Sequence, residues 1–399
     1  MATTAAAPFA DPLALPPVPP PAPAAHSWRD GIVVVAFVAA LVAALVGTIV
    51  DRNLAVTAFE NRTTAPWPRL PTSLSAVRTF PRAFEAALAD RFGGRDAMIR
   101  WHHETMISLF GVSPSAKVML GRDGWLFFLG EDTHSLDRDY RGVYPYPPEQ
   151  PAEIASELKR RHDFLAALGI PYIVMIVPDK YTVYAEYLPT WVTRGRGGTR
   201  LDRLMTALRA YPDITVLDLR GPLRHAKVDE RVYFKTDSHW NLLGGIAGYD
   251  ALIAAVRAKV PATPAVPARR PPYVPGETYS GDLARLLGVE ETWTEEDLAS
   301  LWKVEQDTSR CAKPLPASVP PPAVATEIFV CNRPELPTAL VYRDSMADLF
   351  MPLLSENFRR VVYVASRRLD PKLVMEEKPD VVIEEVVERN IHAIAALPM

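Results

Sequence analysis

Asp237 and His239 stand two residues apart in the run Tyr233-Phe234-Lys235-Thr236-Asp237-Ser238-His239-Trp240-Asn241. A carboxylate that grips an imidazole fixes its tautomer and leaves the second ring nitrogen free to take a proton, which makes two parts of a nucleophilic triad. In extended backbone, residues i and i+2 face the same side, so both groups can serve one site. The third part is offered far downstream by Ser345, which closes the run Ala339-Leu340-Val341-Tyr342-Arg343-Asp344-Ser345. A serine hydroxyl is inert near neutral pH until a base removes its proton, and a histidine with an ordinary pKa of about 6.5 is a suitable base. Blander readings exist for each piece. An Asp-x-His pair can be a surface pair or two ligands of a metal site whose third ligand is not evident. A serine after Arg-Asp at a helix start is commonly an N-cap. Cap and nucleophile do not exclude each other, because the helix start also lends the hydroxyl the dipole and main-chain N–H groups that suit an oxyanion.

The elements around these residues alternate between strand and helix. Pro151 to Leu168, Leu201 to Ala210 and Leu242 to Val260 carry helical apolar spacing, as do Met346 to Asn357 and Pro371 to Glu377. Tyr172 to Val177, Ile214 to Leu219, Ala339 to Tyr342, Arg360 to Ala365 and Val381 to Glu384 are short and largely apolar, and read as strands. Continuous apolar strands separated by helices predict a three-layer α/β/α domain on a parallel sheet covered on both faces. Ligands bind at the carboxyl ends of such strands, and Ser345 follows one of them. Upstream, Phe80 to Phe110 predicts one or two helices broken at Gly93-Gly94, and Gly121 to Phe128 a turn running into an aromatic strand. The stretch around 261–338 fits the alternation poorly and reads as a Pro-rich insertion beside the site. It contains Tyr279-Ser280-Gly281-Asp282-Leu283-Ala284.

Lys180 follows a strand end and precedes Tyr181 and Tyr184, where it could bind an acidic sugar or an acyl donor, or lie solvated over the rings. Trp240 would shield the imidazole from water, Asn241 is a candidate for the oxyanion site, and Arg343 a candidate for substrate contact. Glu384, Glu385, Glu388 and Arg389 predict a charged face or an internal ion pair. No Gly-rich phosphate loop is present, and neither a cofactor nor a metal is expected.

Composition narrows the classes. With 48% hydrophobic and 23% charged residues among 399, the chain can bury a large core. A formal charge of -3 argues against a nucleic-acid partner, which requires a basic face. Residues 1–29 form an Ala/Pro-rich tail expected to be disordered, one site of the 39 prolines. From Ile32 to Val50 there is no charge at all, roughly 19 residues or about 28 Å of helix, long enough to cross a bilayer. This predicts a membrane anchor over 30–51, followed by a linker and N-terminal helices over 52–110 and a catalytic domain over 111–399. A cleaved signal peptide is the rival reading, although no clear small-x-small site follows. The flanking Arg29 against Arg52, Arg62 and Arg69 leans mildly against export. Cys311 and Cys331, the only cysteines, could close a loop of roughly 20 residues as a disulfide worth about 3 kcal/mol, or be two unrelated thiols.

Several blocks, taken in order, resemble the alginate O-acetyltransferase family, the AlgX/AlgJ-like proteins with an SGNH-hydrolase-like domain. They are Glu60-Asn61-Arg62, Asp90-Arg91-Phe92 with Arg95-Asp96, Gly121 to Phe128, and Val177-Pro178-Asp179-Lys180 with Leu188-Pro189. Tyr233 to Asn241, Gly281-Asp282-Leu283, Arg343-Asp344-Ser345 and Pro379 to Arg389 complete the set. The resemblance implies an SGNH-like domain with rearranged motif order, the Asp/His block preceding the serine. It implies Ser345 as nucleophile, His239 as base and Asp237 as its orienter. It further implies acetyl transfer onto an acidic or neutral exopolysaccharide from a membrane-bound donor protein. The domain would be held in the periplasm by a single-pass helix in the inner membrane. An acetylesterase with the same residues, and a non-catalytic subunit of a secretion complex, are the alternatives. Arg343 departs from the Gly-Asp-Ser of the wider superfamily, and the residues completing its oxyanion hole are not identifiable.

Overall fold

The computed structural model describes residues 28–50, 56–57, 62–91, 95–130, 136–143, 146–264, 266–268, 278–296, 311–315 and 327–399. Most of the tail, the Gly93-Gly94 break and parts of the Pro-rich insertion lie outside them. The chain divides into two units, residues 1–57 with 61–95, and residues 58–60 with 96–399.

In the smaller unit the apolar run is helical over Trp28–Val50, and its described side chains from Ile32 to Val42 are exposed. Among the described residues, no helix is long and apolar enough to cross a membrane. A second helix, Leu74–Asp90, starts at Ser73, whose hydroxyl caps Ala76 N–H.

The larger unit is built on one seven-stranded sheet. In chain order its strands are β1 (Tyr172–Val177), β2 (Thr215–Asp218), β3 (Lys313–Pro314), β4 (Glu327–Val330), β5 (Thr338–Tyr342), β6 (Arg360–Val364) and β7 (Val381–Val387). They lie in the order β2-β1-β7-β5-β6-β4-β3. The five strands from β2 to β6 are parallel, but β4 runs antiparallel to both β6 and β3. The sheet is therefore mixed, where the sequence pattern predicts a purely parallel one. The cause is the short link 331–337: a parallel return needs a crossover of about a dozen residues, so a chain turning within this link must reverse. Cys311 and Cys331 are joined as a disulfide beside this antiparallel edge.

Alternation along the strands feeds two cores. Ile173, Met175, Val177, Ala339 and Val341 pack on one face with Tyr249, Leu252, Phe350 and Leu354. Tyr172, Val174, Ile176, Leu340 and Tyr342 pack on the other with Ile154, Leu158, Leu204 and Leu373. A side-chain period of two makes this unavoidable once helices cover both faces. Helices Gln150–Ala167 and Pro371–Glu377 each carry proline in the first turn, where the missing N–H costs nothing. The charged residues near the C-terminus prove internal. Glu384 receives Arg161 at 2.6 Å, and Arg389 reaches Asp179 at 2.7 Å, all four being largely buried.

Candidate active site

Ser345 stands just past the carboxyl end of β5, exposed, at the first position of a short 3-10 helix, Ser345–Leu349. The sequence spacing predicts one α-helix from Met346 to Asn357. The structure has this 3-10 segment followed by a separate turn of helix, Met351–Ser355, which begins beside Pro352. Asp344 sets the turn. Its Oδ1 accepts Met346 N–H at 3.0 Å, its Oδ2 accepts Val387 N–H at 3.0 Å, and its own N–H bonds Glu385 Oε2 at 2.9 Å. Asp344 therefore points into the sheet and away from the imidazole. Burial, and then the charge of Asp344, push Glu385 well above the usual carboxyl range.

Asp237 and His239 lie on the loop closed by the isolated bridge between Tyr233 and Trp240, just before helix Leu242–Lys259. Asp237 Oδ1 accepts the ring Nδ1–H of His239 at 2.6 Å and its main-chain N–H at 2.9 Å. That bond assigns the proton to Nδ1 and leaves Nε2 as acceptor, 2.8 Å from Ser345 Oγ. Two segments 106 residues apart thus form one continuous relay. Burial pushes the Asp237 carboxyl up, but the hydrogen bond and charge of His239, the Tyr279 hydroxyl and the Asp282 N–H outweigh it and hold the group well below its ordinary range. Burial works against a charged His239, yet the Asp237 bond and charge prevail, helped by Asp282, and its proton affinity is raised. Asp237, His239 and Asp282 are close enough to share a cation. Since Nδ1 and Nε2 already face a carboxylate and a hydroxyl at hydrogen-bond distance, a proton relay describes their geometry better.

The remaining predicted residues are placed less directly. Lys180 is buried, and its ammonium donates to the carbonyls of Phe234 at 3.1 Å, Lys235 at 3.0 Å and Asp237 at 2.6 Å, above the rings of Trp125 and Phe127. All three of its protons go to the base loop, so it braces that loop and does not reach outward for a sugar. Burial lowers its pKa to about 7 against the pull of Asp237, Glu295 and Asp282. Trp240 lies in the core and donates Nε1–H to Met346 O at 2.9 Å, which ties the base loop to the nucleophile turn. Asn241 is fully buried and caps the helix, accepting Gly244 N–H at 3.1 Å and donating to Arg231 O at 2.6 Å. Both ends of its amide are engaged, so it is not placed as an oxyanion donor. Arg343 is gripped by Glu327 at 2.9 Å and by Asp348.

Sequence reasoning missed the residues that hold the base loop from outside. Glu295 accepts Lys235 N–H at 2.9 Å, and its second oxygen accepts the Thr236 N–H and hydroxyl, both at 2.7 Å. Tyr279 OH and Asp282 N–H both donate to Asp237 Oδ2, the latter at 3.0 Å. The one usable signal was the compact Tyr279 to Ala284 motif inside an otherwise irregular stretch. A cleft of about 460 Å³ opens against Lys235 and Thr236, lined also by Arg231, Trp293 and Glu296.

A mixed α/β/α sheet carrying a serine, a histidine and an aspartate in hydrogen-bonded series defines an SGNH-hydrolase-like domain. The family model described as SGNH hydrolase-like domain, acetyltransferase AlgX, matches residues 118–325, more than half of the chain, and the chain belongs to that AlgX/AlgJ-like family. The match includes Asp237 and His239 and ends before Ser345. The probable alginate O-acetylase AlgJ of Pseudomonas aeruginosa is 28% identical over 209 residues, 50% of this chain and 48% of that protein. AlgJ of Pseudomonas putida is 29% identical over 142 residues, 35% of this chain and 34% of its own length. The chain thus spans half or less of these relatives. Among solved structures, the O-acetyltransferase domain of Pseudomonas putida AlgJ aligns with a TM-score of 0.43 and 22% identity, over 69% of this chain and 92% of that one.

Proposed function

We propose that this protein is an O-acetyltransferase that modifies an exopolysaccharide through an acetyl-serine intermediate. The observation that carries the reading is the unbroken series Ser345 Oγ, His239 Nε2, His239 Nδ1, Asp237 Oδ1 at 2.8 and 2.6 Å. Ser345 Oγ attacks the acetyl carbonyl of the donor while His239 Nε2 takes its proton. Collapse expels the donor group, which leaves with that proton. A sugar hydroxyl then attacks the acetyl-serine, again giving its proton to His239, and the serine is restored with proton and acyl group accounted for. Asp237 stays ionised throughout and steadies the imidazolium.

The polymer, alginate-like in the relatives' names, is the acceptor class this reading favours. The cleft at Thr236, the residue before Asp237, sets Trp293, Arg231 and Lys235 among the carboxylates Asp123, Glu295 and Glu296, a polar lining of the kind that hydrogen-bonds sugar hydroxyls. The donor is a membrane-bound protein, and the chain is anchored in the inner membrane with its domain in the periplasm. The anchor rests on the sequence alone, on the uncharged run Ile32 to Val50, no described helix being long and apolar enough to cross a membrane. The compartment rests on the Cys311–Cys331 bridge, which persists under oxidising conditions. An acetylesterase is the second reading, favoured by the exposure of Ser345, which lets water compete for the acyl group.

Incubating the protein with p-nitrophenyl acetate and an oligosaccharide, and analysing products by mass spectrometry, separates these readings. Acetylated sugar supports transfer, and acetate alone supports hydrolysis. Ser345→Ala should lower turnover by about a thousandfold or more. If that variant keeps near-wild-type turnover, Ser345 is not the nucleophile; if the folded wild type shows neither turnover nor acyl-serine, the domain is a non-catalytic subunit.

A further inference from the structure

The segment Tyr279 to Asp282 is seated on the aspartate of the relay. Tyr279 pairs with Glu295 in a two-residue antiparallel ladder and stacks on Phe234 at 4.2 Å, so its hydroxyl is held over Asp237 Oδ2. Gly281 presses so closely that an added Cβ would meet Asp237 Cβ at 2.4 Å and Thr236 O at 2.5 Å. Its N–H bonds Thr236 Oγ1 at 3.0 Å, and Asp282 N–H completes the grip on Asp237 Oδ2 at 3.0 Å. The Asp282 side chain then turns toward the histidine. It accepts Ser238 N–H at 2.7 Å and the Ser238 hydroxyl at 2.5 Å, and places Oδ2 3.7 Å from His239 Nδ1.

We propose that Tyr279 and Asp282 are positioning residues of the relay that act in opposition on the proton shared by Asp237 and His239. The inference rests on the reading of Ser345, His239 and Asp237 as an acyl-transfer relay, and it extends that reading to the inserted segment. The opposition follows from the chemistry of the two contacts. The Tyr279 hydroxyl draws charge from Asp237 Oδ2 and so weakens the carboxylate's hold on the imidazolium. The Asp282 carboxylate adds a second anion beside Nδ1 and strengthens that hold. Besides Asp237 on its own loop and Asp282 on this segment, His239 feels the charges of Asp348 on the turn after Ser345 and of Arg389 just past β7. Of these, Asp282 alone is bound to the base loop through Ser238 and also lies within 4 Å of the ring.

The test is a pH titration of the His239 ring by proton–carbon NMR on the full chain, its resonance identified by its loss in His239→Gln. Asp282→Asn keeps the size of the side chain and should move the midpoint to lower pH by about one unit. Tyr279→Phe removes only a hydroxyl and should move it to higher pH by about half a unit. The acid limb of p-nitrophenyl acetate turnover should move in parallel with each. A merely structural role for the segment would shift both variants the same way or neither, and either result overturns the proposal. Should Tyr279→Phe fail to fold by circular dichroism, Asp282→Asn decides alone, and a midpoint that stays or rises overturns it. Opposed NMR shifts in a protein whose Ser345 never carries an acetyl group would leave this inference standing and remove the transferase.

Discussion

Ser345 stands on a turn that belongs to the sheet, whereas Asp237 and His239 stand on a loop that belongs to no regular element. The serine turn is set by the parallel ladders of β5 with β6 and β7, and Asp344 locks it onto the β7 main chain. The base loop is held by groups arriving from elsewhere: the Lys180 ammonium and the Leu126, Leu283 and Ala284 N–H groups on its carbonyls, Glu295 on its N–H groups, the Tyr279 hydroxyl and the Asp282 N–H on its acid. One arm of the relay is therefore a property of the backbone, and the other a property of a polar network. Networks of this kind fix a geometry only while every member is satisfied, and the loss of one member is felt by the rest.

The most severe test of this contrast is Lys180→Met. It would take the Lys180 donor from the Phe234 and Asp237 carbonyls, while Lys235 O keeps Leu126 N–H at 2.9 Å, and buried groups stranded in this way cost about 1–3 kcal/mol each. We expect a stability loss of about 3 kcal/mol by urea unfolding and near-complete loss of ester turnover. A variant as stable and active as wild type would mean that the loop holds itself. Next in size is Asp344→Asn on the other arm. Its amide would face Val387 N–H or Met346 N–H with a donor, yet the ladders remain. Turnover should fall about tenfold while stability changes by about 1 kcal/mol, a separation that paired kinetic and unfolding measurements can read. An equal loss in both quantities would show the two arms to be held alike. The smallest effect is one of pH in the unaltered protein. The base must be neutral, and His239 holds its proton more tightly than an ordinary histidine. Turnover should therefore be full at alkaline pH and fall about tenfold per unit once pH drops below a midpoint above 6.5, measured as kcat/KM. A midpoint below 6.5 would mean that Asp237 and Asp282 do not govern the ring.

The same contrast explains how much could be read from the sequence. β1, β5 and β6 are announced by unbroken apolar runs, because strands buried on both faces have no room for polar side chains. A serine at the end of one of them was thus locatable, and the Asp-x-His spacing announced its base. The antiparallel pair β4 and β3 was not legible, since its direction follows from a short link and not from any pattern in the strands. Lys180, Asn241 and Trp240 sat in the right blocks for other reasons, as brace, cap and core. Their jobs depend on which carbonyl or amide lies within 3 Å after folding, and local sequence does not encode that. Tyr279 and Glu295 act across more than 40 residues of chain, and only the folded insertion brings them to Asp237 and Thr236.

The Cys311–Cys331 bridge has a consequence of another kind. It pins down β3, two residues long and ending in Pro314, the strand that pairs with the outer side of β4 among the described residues. A chain made or kept in a thiol-rich medium would retain its relay but loosen that cover, offering the unpaired main-chain groups of Glu327 to Val330 to any other extended strand. The first symptom of reduction would then be sticky molecules joining edge to edge while each still turned over substrate.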